Sequence, residues 1–162
     1  MRNASTSRTA SEQKFDIIIK ILKYIKVFAN RLNALNAKGF KQPCDFEILE
    51  TGKSFKFDLK ECCKDKKYAV TFEKDQVKDL KLASLNKALA GFIIQFANYP
   101  KLKFLNIASF GSAKKWHYEE LEDLESVLKG EALEITRNTI NKYYYKSLKE
   151  LKKTLRKLQQ CK

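Results

Sequence analysis

Between Lys142 and Lys162 the sequence places eight basic residues and one acid, Glu150. Ammonium and guanidinium groups at that density are suited to holding phosphates. Lys142, Lys146, Lys149, Lys153 and Arg156 recur at intervals of three or four and fall on one side of a helix. Ile140, Tyr144, Leu148, Leu151, Leu155 and Leu158 form an apolar seam on the other side. An ordinary solvated helix mixes signs and gains from Glu–Lys pairs four apart. Here repulsion is tolerated, and a polyanionic partner explains why. Tyr143 and Tyr145 flank the seam among these cations, where rings can stack on unpaired bases. The rival explanation is compositional: Lys, Asn, Ile, Tyr and Phe are abundant throughout, as in proteins encoded by AT-rich genes.

The remaining reactive side chains offer little catalysis of their own. His117 is the sole histidine, between Trp116 and Tyr118, a setting more typical of packing than of a general base. Five glycines are too few for a phosphate-cradling loop, and no Gly-x-Ser-x-Gly is present. Cys44, Cys62, Cys63 and Cys161 match no zinc spacing, so neither a structural metal nor a cofactor is predicted. Reduced thiols imply an intracellular, reducing compartment, the cytoplasm or the nucleus. Arg2, Arg8 and the serines and threonines before Glu12 resemble a mitochondrial presequence in composition, but a short basic tail is the plainer reading. No run approaches the ~18 apolar residues of a membrane span, so no membrane partner is expected.

The whole chain has 33 Lys and Arg against 19 Asp and Glu, a net charge of +14. That excess is uneven, because residues 119–134 hold seven acids and one lysine. This stretch cannot face the same polyanion. It is either solvated, folded against lysines of this chain, or matched to a basic protein neighbour.

The elements that must position these groups follow from periodicity. With 162 residues the chain suits one domain plus an extension: a basic tail over 1–10, an α+β core over 11–110 and a helical extension over 111–162. Thr9 and Glu12 have capping-box spacing, and Phe15, Ile18, Leu22, Ile25, Ala29 and Leu32 predict a helix to about Lys38, closed by Gly39. Its apolar face, widened by Ile17, Ile21, Tyr24 and Phe28, belongs to a core or to a partner chain. Alternation at Phe46/Ile48, Phe55/Phe57/Leu59 and Tyr68/Val70/Phe72 predicts three strands in an antiparallel meander, with the first turn at Thr51–Lys53. Leu82 to Phe96 reads as a helix ended by Pro100, residues 102–109 as a fourth strand, and residues 117–129 and 132–160 as two further helices.

Helix, three strands and helix is the order of the double-stranded-RNA-binding domain. PCDFEILETG from Pro43 resembles that family's first strand and turn, and VKDLKLASLNKAL from Val77 resembles its second helix. Over residues 28–97 the resemblance implies phosphate contacts by Lys78 and Lys81 at a helix N-terminus. The same order, extended by the fourth strand, also resembles the core of PD-(D/E)xK nucleases. Asp45 follows Pro43, and Asp58-Leu59-Lys60 forms the DxK triplet, one strand earlier than in that family. This second resemblance implies that Asp45 and Asp58 bind Mg²⁺ while Lys60 orients water for in-line attack on phosphate.

The sequence by itself therefore favours an α+β, non-enzymatic nucleic-acid-binding protein, with RNA preferred over DNA, as a ribonucleoprotein subunit. Protein partners would use the first helix, the C-terminal seam or the 119–134 stretch. The alternatives are an interaction subunit or inhibitor within a larger assembly, and the Mg²⁺-dependent nuclease.

Overall fold

The computed structural model describes residues 9–31, 46–62, 68–69, 72–111 and 115–161. Helix α1 spans Ala10–Tyr24, and the Thr9 hydroxyl accepts from the Glu12 amide at 3.2 Å, as the capping-box spacing predicts. The helix does not run on to Lys38. Ile25 caps it, Lys26 adopts φ 69°, and Phe28–Arg31 leaves as strand β1. Pairing with a neighbouring strand overrides the helical period here, burying Ala29 while Phe28 faces outward. The predicted stop at Gly39 lies outside the described residues.

Strand β1 pairs antiparallel with β2, Phe46–Glu50, which turns into β3, Lys53–Cys62. Thr51 and Gly52 take φ of 50° and 80°, so a two-residue loop with both centres left-handed makes the hairpin, matching the twist of its strands.

The predicted meander ends there. Of its third strand, Tyr68–Ala69 is β4, which pairs with β7, Trp116–His117, in a separate ribbon, while Val70 lies outside the described residues. Helix α2, Lys74–Leu85, stops at Asn86, and Leu89–Phe96, read from sequence as more helix, is strand β5. It lies parallel to β3 from Phe55↔Leu89 to Cys62↔Phe96, with α2 as the crossover. A strand covered on both faces is apolar nearly throughout, and a short apolar run cannot be told from a buried helix by period alone. Residues 28–97, which carry the RNA-binding-domain resemblance, thus build β1 to β4, α2 and β5, in a mixed arrangement. The six-stranded sheet has the order β1-β2-β3-β5-β6-β8, completed by β6, Lys103–Asn106, and β8, Glu122–Asp123. At Gly91 a Cβ would run into the Leu105 carbonyl oxygen and the Phe104 ring, so β5 and β6 close only over glycine.

One sheet face packs on α1, on α3, Leu124–Gly130, and on α4, Glu134–Tyr143, through Phe15, Leu22, Phe57, Leu128 and Ile140. The other face packs on α2 through Leu80, Phe92, Ile94 and Phe96. Helix α5, Leu148–Gln160, lies outside α1, where Leu151 and Leu155 meet Ile17 and Ile21. The single long helix predicted over 132–160 is broken because Ser147 and Glu150 form a full capping box. The helix predicted from 117 begins only at Leu124, after β7, a 3₁₀ turn over Tyr118–Glu120 and β8. Among the described residues no helix is long and apolar enough to cross a membrane, and Cys62 and Cys161 are free thiols.

Two polar ties hold the C-terminal helices to the sheet. Glu50, 5% exposed at the hairpin turn, accepts from the Ile135 and Thr136 amides at 2.8 and 3.0 Å and from the Thr136 hydroxyl at 2.7 Å. A carboxylate thereby satisfies the open amides of the α4 N-terminus and meets the positive end of its dipole. Ser11 joins Glu61, Gln95 and Tyr144, its hydroxyl lying 2.8 Å from the Tyr144 phenol, which also donates to Gln95. Burial pushes the Tyr144 phenol up to about 12, with Ser11 opposing and Glu61 adding to the shift.

Replacing Glu50 with Ala leaves the two buried Thr136 donors and the part-buried Ile135 amide unmet, so urea titration should register a loss of about 2–3 kcal/mol. A second prediction concerns alkaline pH. The raised Tyr144 pKa means that its contribution is whole below the ordinary phenol value of about 10 and is lost as pH rises through about 12. Thermal melts should therefore show wild-type stability falling across that window, and Tyr144→Phe should flatten the fall.

Candidate functional site

Alternation along β3 sends Phe55, Phe57 and Leu59 to the α1 side and Lys56, Asp58 and Lys60 to the α2 side. Asp58 is 1% exposed, and its Cα partner on β5 is Phe92. Lys60 extends its ammonium to 4.9 Å from the centroid of Phe72, a ring that packs on Phe92 and Phe110. Burying a carboxylate in such surroundings is unfavourable unless it is compensated, and a strand with only a packing duty would carry an apolar residue there.

Strand β1 also changes where the triplet stands. Because Phe28–Arg31 is a strand, Asp58 and Lys60 lie on the third strand of the sheet's chain order rather than the second. Asp45 lies outside the described residues, and the residue after it, Phe46, is the partner of Phe57.

A carboxylate overlooked in the sequence joins this face. Glu47 is the partner of Lys56 and is therefore diagonal to Asp58, a relation that separates Cα atoms by roughly 7–8 Å. It is half-buried. The alternation in FEILE could have flagged it, but the face that matters is set only by the pairing of β3 with β5. Among the described residues no group of three or more His, Cys, Asp or Glu is placed to hold a metal. Asp58 and Glu47 are nevertheless hard oxygen donors, and Mg²⁺ commonly uses one or two carboxylates with water and substrate phosphate completing its shell. The donor set fits that ion.

The basic residues singled out from sequence separate into two groups. Lys78 and Lys81 are exposed on α2, on the Asp58 side of the sheet, with the Lys81 ammonium 5.9 Å from the Phe110 ring centroid. Lys149, Lys153 and Arg156 are exposed on α5, beyond α1 on the opposite side. Lys142 is exposed and Lys146 half-buried, with ammonium groups 5.2 and 5.9 Å from the Tyr143 ring centroid. The acidic stretch is partly met by lysines of its own chain. Asp123 accepts from Lys103 at 2.7 Å and from Lys101 at 3.2 Å, and the Lys103 bond holds its carboxyl below the ordinary range. Glu119, Glu120, Glu122 and Glu125 face solvent. His117 is exposed on β7 rather than packed between its aromatic neighbours.

The fold is similar to that of a Holliday junction resolvase. That protein is Hjc, from the archaeal hyperthermophile Archaeoglobus fulgidus, with a TM-score of 0.50 and 14% sequence identity over 72% of this chain and 98% of the resolvase chain. No protein-family profile and no curated protein matches the sequence. The likeness counts against the expectation of a non-enzymatic RNA-binding protein or ribonucleoprotein subunit, since the fold is similar to a resolvase's. Lysine abundance cannot separate these readings, since a nuclease and an RNA-binding protein both need cations for phosphate.

Proposed function

We propose that the protein is a Mg²⁺-dependent endonuclease of duplex DNA, with four-way junctions as its substrate class. The observation that carries this reading is the buried Asp58, two residues before Lys60, on the third strand of a fold similar to a resolvase's. Asp58 and Asp45 are assigned as metal-holding carboxylates, and Glu47, diagonal to Asp58, is a further oxygen donor. When bound, the ion supplies positive charge to the phosphate as negative charge develops there. Asp58 is held rigidly for this duty by a strand paired on both edges. Lys60, whose ammonium lies over the Phe72 ring, orients the water that attacks phosphorus in line with the leaving oxygen. Lys78 and Lys81, exposed on the same side, hold backbone phosphates flanking the cut.

The test is cleavage of a labelled four-way junction against linear duplex, with Mg²⁺ or with EDTA. Asp58→Asn and Lys60→Ala should each slow cleavage by about a hundredfold or more, the scale on which losing one transition-state stabiliser acts, while junction binding persists. Undiminished cutting by Asp58→Asn, or a wild-type protein inert on every DNA with Mg²⁺ or Mn²⁺, would overturn the reading.

A further inference from the structure

Helix α5 has two unlike halves. Leu151 and Leu155 are buried against Ile17 and Ile21, while Lys149, Lys152, Lys153, Arg156 and Lys157 are all exposed. At about 100° per residue these five bases occupy one unbroken arc of roughly 140°, centred opposite the leucine seam. The one acid of the helix, Glu150, is turned to the Ser147 hydroxyl and amide in the capping box at the N-terminus, away from any role as partner to the lysines. The arc is thus cationic along its length, and its backbone is fixed by the seam beneath it.

Its place in the layers matters as much as its charge. Asp58 and Lys60 face α2, whereas α5 is stacked on the outer side of α1, across the sheet. One helix layer over a sheet and a second over that put the α5 axis roughly 18–20 Å from the strands. A straight duplex lying at the Asp58 face cannot also lie along α5.

We propose that the outer face of α5 is a second DNA-backbone surface that holds a different duplex segment from the one presented to Asp58. It rests on the DNA-cleavage reading above and adds to it a reason to prefer branched substrates, since only a substrate with a second arm reaches both surfaces. Recognition is by phosphate charge without base readout, because lysine-rich exposed arcs position a backbone and carry no sequence code.

The experiment replaces Lys149, Lys152, Lys153, Arg156 and Lys157 together with Gln, a residue nearly as good in helices, so that α5 persists. A control variant replaces Lys26, Lys87 and Lys129, exposed bases elsewhere. Junction and linear-duplex binding are measured across salt, without Mg²⁺ and in the Asp58→Asn background, so cleavage plays no part in the readout. The α5 variant should bind junctions at least tenfold more weakly, flatten the log–log salt dependence by about 4 to 5, and lose most of its preference for junction over linear duplex. The control should keep that preference, and circular dichroism should report unchanged helix content. An unchanged salt slope with α5 intact overturns the proposal, as does α5-dependent binding to anionic vesicles that DNA does not displace. A wild type that cuts no DNA yet loses its salt slope in the α5 variant refutes the nuclease reading and leaves this surface standing.

Discussion

Everything in this molecule depends on β3 and β5 lying parallel. Their register runs from Phe55↔Leu89 to Cys62↔Phe96, and parallel neighbours demand a crossover that α2 supplies. A strand so enclosed must satisfy both faces. The α1 side takes aromatic and aliphatic residues together with Glu61 and Gln95, and the α2 side takes Phe92, Ile94 and Phe96. Asp58 is the exception within that scheme, an acid at a position where the neighbouring strand offers phenylalanine. Gly91 lets the next strand approach closely enough to complete the enclosure.

The C-terminal helices are tied into the same framework by charge and polarity as well as by packing. Glu50 sits at the turn between β2 and β3 and reaches the N-terminus of α4, so the hairpin that bears the carboxylates also anchors distant sequence. Hydrogen bonds to charged groups contribute about 1.5–3 kcal/mol, and a buried site raises the penalty for losing them. Ser11, Glu61, Gln95 and Tyr144 make a second junction from four separate elements. Together the two ties fix where α5 begins.

Much of this was legible in the residues. Thr9 and Glu12 announced α1, Thr51-Gly52 announced the hairpin, and the lysines of α5 announced a cationic face. What escaped was long-range. LAGFIIQF carries no local mark that separates a doubly covered strand from a buried helix, and Phe28–Arg31 continues the period of α1 until a partner strand claims it. Missing β1 put the Asp58 triplet one strand out of place. Ser147 and Glu150 were readable as a cap, but the leucine period running through them on both sides masked the break. Glu47 was legible only as one step of the FEILE alternation, because the face it shares with Asp58 is set by the sheet order.

The two halves of α5 have a consequence for how the protein can change over time. Its leucines shield Ile17 and Ile21, so shortening the chain before α5 would bare a greasy stripe on α1 and invite aggregation. The helix is accordingly not a detachable module. Its cations can be gained or lost one codon at a time, but its length is held by the neighbour it covers.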